Sequence, residues 1–383
     1  MNDRSRALAV CAAILLAFAA GTPAGARIAG ETSPSAPAGA AALSLAPRAQ
    51  QDEPDPGYIP GRLLVGFEAG TSREEKALIH ERFGAQVIRD ITAIGVQVLR
   101  FEDEDALAMV SAYQALDQVA FAEPDYVASI QGAPDGPALD AAAVAPDAVL
   151  RSPNDPLLSR QWHHDKIESR EAWDVASGNN VVVAVVDTGV MCTHPDLQGR
   201  CVAGYDFVFN DNDPRDDHGH GTHVSGIAAV ATDNGVGVAA VGWGAKVMPI
   251  KALDRTGNGG HSAIAAGITW AVDHGADVIN LSLGGFFTSG TLRNAVAYAI
   301  DRNVVVVAAI GNEASSNPTY PASYPGVIAV AATTPTDQRA SFSNFGVHVD
   351  IAAPGTGIHS TTPDGGYQAW SGTSMACPVV SGL

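Results

Sequence analysis

Positive charge is scarce in this sequence: 22 Lys and Arg stand against 41 Asp and Glu, a formal net charge of -19. So acidic a chain is a poor partner for nucleic acid or an anionic membrane. A membrane-spanning run is also lacking at the N-terminus. The apolar stretch at residues 7–20 falls short of the roughly 20 residues that a spanning helix needs. It follows Arg4 and Arg6 and ends in small residues near Ala26, the composition of a signal peptide. Residues 1–26 are therefore expected to direct export, without stable membrane insertion. Cysteine is sparse, with four in all. In the oxidising setting that export implies, Cys192 and Cys201, which bracket the short "CTHPDLQGRC", are expected to pair. Cys377 reads as a small buried apolar residue. No DxDxDG calcium loop occurs, which argues against an EF-hand.

What is present is arranged in blocks. Residues 27–56 are rich in Ala, Pro and Gln, cannot build a core and read as a linker. Residues 57–130 follow the order strand-helix-strand-strand-helix-strand, which predicts a small ferredoxin-like α+β module. A second loose segment occupies 131–153. From 154 to 383 near-continuous Val/Ile/Ala runs, at 181–187, 277–285, 304–312, 327–333 and 348–355, alternate with helical patterns at 221–231, 262–275 and 291–303. Strands of that kind are buried on both faces. The prediction is an α/β fold with a doubly wound, mostly parallel sheet flanked by helices, and such sheets carry their sites at the carboxyl ends of strands.

Asp187 and Asn312 each close one of these apolar runs. A carboxylate at the end of a buried strand is costly without a partner, and a histidine N–H would serve. The stretch "DDHGHGTHVSG" offers His218, His220 and His223 within six residues. By itself the cluster supports a zinc site or one general base among bystanders. Gly219 and Gly221 loosen the backbone there and no second ligand cluster appears, which weakens zinc. In "SGTSMACPVVSGL", Ser374 stands at a helix start, where free backbone N–H groups suit a developing oxyanion.

In chain order, "DTGV", "HGTHVSG", "AAIGN" and "GTSMACP" resemble the subtilisin-like serine proteases, over residues 154–383. The resemblance implies an endopeptidase in which His220 takes the proton of Ser374, Asp187 orients the imidazole and Asn312 donates to the oxyanion. His223 is then a structural helix residue and His218 a loop neighbour. Two glycine-rich segments, with Gly257 and Gly259 in one and Ser282, Leu283, Gly284 and Gly285 in the other, are implied to pair with the backbone of a polypeptide substrate. Asp155 and Asp196 are implied ligands of a structural calcium ion, with 232–237 as a third arm. The acidic stretch 210–217 is a second cation site or a solvated turn. The module at 57–130 resembles the family's inhibitory propeptide, cut away within 131–153, and the product is expected to be secreted and monomeric. Only nine residues follow Ser374, so the catalytic domain reads as truncated at its C-terminus, and "PVVSG" replaces the family's usual "PHVAG". A fragment or pseudoprotease that only binds peptide is therefore a second reading, and a zinc hydrolase a third.

Overall fold

Four antiparallel strands come first in the computed structural model, which describes residues 57–102, 106–134 and 151–383. The expected signal peptide, the 27–56 linker and most of the second linker lie outside the described residues. Strands β1 (Tyr58–Phe67), β2 (Gln86–Ile91), β3 (Val96–Arg100) and β4 (Val119–Ile130) alternate with helices α1 (Arg73–Arg82) and α2 (Ala106–Gln114). The sheet order is β4-β1-β3-β2, the ferredoxin-like arrangement. Helix α1 starts at Ser72 because the Ser72 hydroxyl accepts the Glu75 N–H while the Glu75 carboxylate accepts the Ser72 N–H. Leu63, Val65, Leu99, Phe101 and Tyr113 form the module's own core.

The larger sheet is parallel throughout. It contains β5 (Val182–Asp187), β6 (Lys246–Lys251), β8 (Val278–Leu281), β9 (Val305–Ala309), β10 (Ile328–Thr333) and β11 (Ile351–Pro354) in the order β11-β10-β9-β8-β5-β6, with Tyr205–Asp206 at the edge. The short β7 (Asn258–Gly260) stands outside it. Alternate residues of β5 feed opposite cores. Ala184 and Val186 pack with helices α4 (His261–Asp273) and α5 (Gly290–Ile300), through Ile264 and Leu292. Val183 and Val185 pack with α3 (His220–Ala229) and α6 (Thr373–Gly382), through Ile227 and Val379. That two-sided burial explains why the strands carry no polar face.

Three local features depart from expectation. Strand β6 is not among the expected runs; it contains Pro249 and pairs with the short edge strand only at Ile250 and Lys251. The run at 277–285 is not one strand. It leaves the parallel sheet after Leu281, and Leu283–Gly284 pairs with β4 instead. A hairpin of β12 (Ile358–Thr361) and β13 (Tyr367–Ser371) also forms, where Ser360 and Thr361 hydroxyls donate to the His223 and Thr222 carbonyls of α3. No helix among the described residues is long and apolar enough to cross a membrane.

Gly57–Leu383 form one compact unit, and two carboxylates on one face of β4 hold the small module against the larger one. Glu123 accepts from Ser289 Oγ at 2.7 Å, Gly290 N at 2.8 Å and Thr291 N at 2.9 Å, capping α5. Asp125, fully buried, accepts from Ser262 N at 2.9 Å and Ser262 Oγ at 2.6 Å at the start of α4. Burial raises the Asp125 carboxyl above its usual range, and the Ser262 bonds and Arg62 work the other way. A carboxylate at a helix N-terminus meets unpaired N–H groups and a favourable dipole. Glu123→Ala is expected to lower the unfolding free energy of the full chain by about 1.5–3 kcal/mol, the range for lost hydrogen bonds to a charged group. Denaturant titration measures it, and an unchanged midpoint would contradict the capping role.

Candidate active site

Strand β5 delivers Asp187 to the carboxyl edge of the sheet, where it is fully buried. His220 is the first residue of α3, behind Gly219 at φ 112°, a left-handed turn that glycine accommodates without strain. The His220 Nδ1 lies 2.8 Å from Asp187 Oδ1 and 2.9 Å from Oδ2. A buried carboxylate thereby gains its partner, and the bond assigns the proton to Nδ1. The opposite nitrogen, Nε2, is buried with no hydrogen-bond partner among the described residues.

Ser374 is the second residue of α6. Pro378 has no N–H to bond the carbonyl of Ser374 four residues earlier, and the Ser282 hydroxyl donates to that carbonyl at 3.0 Å instead. The helix start is thus tied to the 282–285 segment. The Ser374 hydroxyl donates to Ser282 O at 2.8 Å and accepts from Gln131 N at 2.9 Å, so it is not bonded to His220 here. Ser374 N donates to the Gln131 carbonyl at 2.9 Å. The Asn312 Oδ1 accepts from Thr373 N at 2.9 Å and Thr373 Oγ1 at 3.0 Å. With its oxygen occupied in this way, the Asn312 side chain offers its Nδ2 as the donor.

The chain's own backbone fills the cleft. On one side of β4, Ala128 faces Gly259 and Ile130 N donates to Gly257 O at 3.0 Å. On the other, Ser129 faces Gly284, Ile130 faces Leu283, and Gln131 N donates to Ser282 O at 3.3 Å. Gly285 lies alongside, bridged to Tyr320. Beyond Gln131, Ala133 pairs with Ser371 and Pro134 with Trp370. Gly372 has to be glycine at this point, since a Cβ would sit 2.4 Å from the Gln131 carbonyl oxygen. Sequence reasoning named Gln131 only as the first residue of the 131–153 cleavage segment and Thr373 only as part of a helix start, and it missed the capping pair Glu123 and Asp125. The last two were signalled by acidic residues at i and i+2, which share one face of a strand.

The remaining candidates fall into separate places. Asp155, Asp196 and the 232–237 loop do come together: Asp155 accepts from Asp233 N at 2.8 Å, and Asp196 accepts from Asn234 Nδ2 at 2.8 Å and Val238 N at 3.0 Å. Burial raises both carboxyls. In the 210–217 stretch, Asp213 pairs with Arg215 and Asp217 with Lys251, while Asp216 turns inward. The three histidines diverge. His223 Nε2 bonds Gln368 O at 3.0 Å and its ring stacks on Trp370, and the His218 ring lies 6.4 Å from that of His220. No group of three or more His, Cys, Asp or Glu is arranged to hold a metal among the described residues. Cys192 and Cys201 are disulfide-bonded, and Cys377 is buried, its thiol pushed up to about 12 by that burial.

A parallel sheet with Asp, His and Ser in this order and an inhibitor-like strand in the cleft defines a class. Residues 178–383 match the subtilase family, and 44–125 match the fervidolysin N-terminal prodomain. Thermitase of Thermoactinomyces vulgaris is 49% identical over 233 residues, 61% of this chain and 84% of thermitase. A thermophilic serine proteinase of Bacillus sp. (strain AK1) is 41% identical over 328 residues, 85% of this chain and 77% of that protein. The crystal structure of fervidolysin from Fervidobacterium pennivorans superposes with a TM-score of 0.77 at 33% identity, covering 86% of this chain and 55% of fervidolysin. The chain belongs to the subtilase family of serine endopeptidases, and it carries a prodomain of the fervidolysin type.

Beside the site lies a group of histidines that burial keeps neutral. Burial lowers His164 to about 4 and His223 to about 3, and lowers His163 well below its ordinary value. Both ring nitrogens of His163 are unpartnered among the described residues. These pKa values are lower in the folded protein, so below about pH 6.5 the unfolded chain binds protons that the folded one refuses. Their stabilising effect is complete above that pH. It is lost as pH falls, by up to about 1.4 kcal/mol per unit for each histidine. The raised carboxyls of Asp155 and Asp196 act in the opposite sense and offset part of the loss. Urea unfolding is expected to show lower stability at pH 5 than at pH 7, and equal stability at both would contradict the role of the buried histidines.

Proposed function

We propose that this protein is a secreted endopeptidase made as a self-processing precursor, with Asp187, His220 and Ser374 as its catalytic triad and Asn312 in its oxyanion hole. The observation that carries the reading is the Gln131 carbonyl, whose oxygen lies 2.9 Å from Ser374 N while β4 pairs with the segments on both sides. That is the pose of a substrate backbone, recognised through main chain as in strand addition. The bond to be cut is then Gln131–Gly132.

For the reaction, the Ser374 hydroxyl turns from Ser282 O to His220 Nε2, the unpartnered acceptor. Oγ attacks the Gln131 carbonyl carbon as its proton passes to Nε2, and Asp187 stabilises the imidazolium through Nδ1–H. The oxyanion is held by Ser374 N–H and Asn312 Nδ2. Collapse breaks the bond to Gly132, whose amine takes the proton from His220, and leaves Gln131 esterified to Ser374. Water then attacks the ester, giving its proton to His220, and releases Gln131 as a carboxylate with Ser374 restored. The cut prodomain, still capped onto α4 and α5, acts as the inhibitor until it is removed. Mature enzyme meets other polypeptides in the same groove. Support for export comes from the composition of residues 1–26 and from the Cys192–Cys201 disulfide, which suits an oxidising compartment.

A structural calcium ion belongs to the same reading. Asp155 and Asp196 are both buried, and neither pairs with a lysine or arginine among the described residues. The charge of Asp196 also adds to the rise of the Asp155 carboxyl. Two adjacent buried carboxylates beside a loop rich in carbonyl and amide oxygens suit a hard cation. When bound, calcium would neutralise them and fasten the loop, supplying no chemistry to the cleavage itself.

A serine-directed phosphonate is expected to label Ser374 in the activated wild type and to abolish peptidase activity, whereas Ser374→Ala takes no label and cleaves nothing. Retained activity in the alanine variant would sink the proposal. Asn312→Ala should lower kcat ~10²–10³-fold with little change in KM, the loss known for this donor in subtilisin. For calcium, chelation is expected to lower the unfolding temperature of wild type and to leave Asp155→Asn unaffected. An identical response in both proteins argues against that site.

A further inference from the structure

Asp187 is braced by groups outside the catalytic triad. Thr188, fully buried, donates its N–H to Asp187 Oδ1 at 2.7 Å. Its hydroxyl accepts from Gly221 N at 3.0 Å in α3 and donates to Asp216 Oδ1 at 2.9 Å. Its carbonyl accepts from Lys251 Nζ at 2.7 Å. One small residue therefore touches the strand end, the histidine helix and two charged side chains.

The charged side chains are themselves buried. Asp216, 3% exposed, also accepts from Gly219 N at 2.7 Å, His218 N at 3.0 Å, Thr222 N at 2.9 Å and the Thr222 hydroxyl. Lys251, 1% exposed, places its ammonium between Thr188 O, Leu253 O and the Asp217 carboxylate. Three acceptors satisfy the three hydrogens of the ammonium, which is the condition for burying it.

We propose that Asp216, acting through Thr188, is a positioning residue that sets the Asp187–His220 geometry, with Lys251 closing the other side of the same dipeptide. The proposal rests on the reading of His220 as general base. Asp216 could serve as a helix cap with its bonds to Gly219 and Thr222 alone. The Thr188 hydroxyl is what turns a cap into a coupling: its proton is committed to Asp216, its lone pair faces Gly221, and its own backbone N–H orients Asp187. Movement of Asp216 therefore shifts the acid and the base relative to each other. A misplacement of about 1 Å in such a pair costs up to about 10²-fold in rate.

The test uses the full chain with Thr188→Val, which keeps the shape and removes the hydroxyl, Thr188→Ser, which restores it, and Asp216→Asn. Two readouts are taken: the kcat and KM of the activated enzyme on a peptide amide, and the low-field proton NMR resonance of His220 Nδ1–H. Thr188→Val and Asp216→Asn are expected to lower kcat about tenfold to a hundredfold with KM within about twofold, and to shift the resonance. Thr188→Ser should keep both near wild type. Wild-type kcat and an unmoved resonance in folded Thr188→Val would overturn the proposal, as would a lowered kcat with the resonance unmoved. If wild type itself cleaves nothing, the protease reading has failed, and the resonance in Thr188→Val still decides the coupling.

Discussion

The groove beside Ser374 is filled by a strand that the larger half does not supply. The segments around Gly257–Gly259 and Ser282–Gly285 present backbone donors and acceptors toward one another across a gap one strand wide, and β4 occupies it. Each main-chain bond gained there is worth roughly 0.5–1.5 kcal/mol net, and leaving such groups unpaired under a covering module would cost more. The contact is made through main chain on both edges of β4, the kind of pairing by which an extended strand is added to a sheet. Its direction and register are set by the module: Glu123 and Asp125 anchor β4 to two helix starts, and the next residues reach Ser374.

The same edge of the sheet concentrates buried charge. Asp187, Asp216 and Lys251 are each at most a few per cent exposed, and each combines local hydrogen bonds with at least one that crosses between elements. Buried polar networks of this kind are favourable only when complete. That completeness is also what lets a carboxylate at the end of β5 and a ring at the start of α3 be held in one geometry. Ser374 is positioned by a different device, the carbonyl that Pro378 frees and Ser282 takes up.

Much of this was legible in the sequence, and the failures have identifiable causes. The uninterrupted apolar runs forecast the parallel sheet, since strands covered on both faces need no polar residues. Strand β6 was missed because its short run, broken by Pro249 and bounded by Lys246 and Lys251, lacks the continuous Val/Ile/Ala pattern of the others. The departure of Leu283–Gly284 from the sheet depends on a partner strand more than a hundred residues earlier, which no window on the sequence contains. The motifs carrying Asp187, His220, Asn312 and Ser374 stood out because glycine and short polar residues interrupt apolar runs there. Thr188, Thr373 and Lys251 did not, since a threonine or lysine declares its role only through its contacts.

Self-cleavage by Ser374, where the backbone lies across it, is the central claim. The most direct measurement is the N-terminal sequence and intact mass of the expressed product from wild type and Ser374→Ala. The prediction is a wild-type fragment beginning at Gly132, with the alanine variant still joined across Gln131–Gly132. An uncut wild type, or the same cut in both proteins, would contradict it.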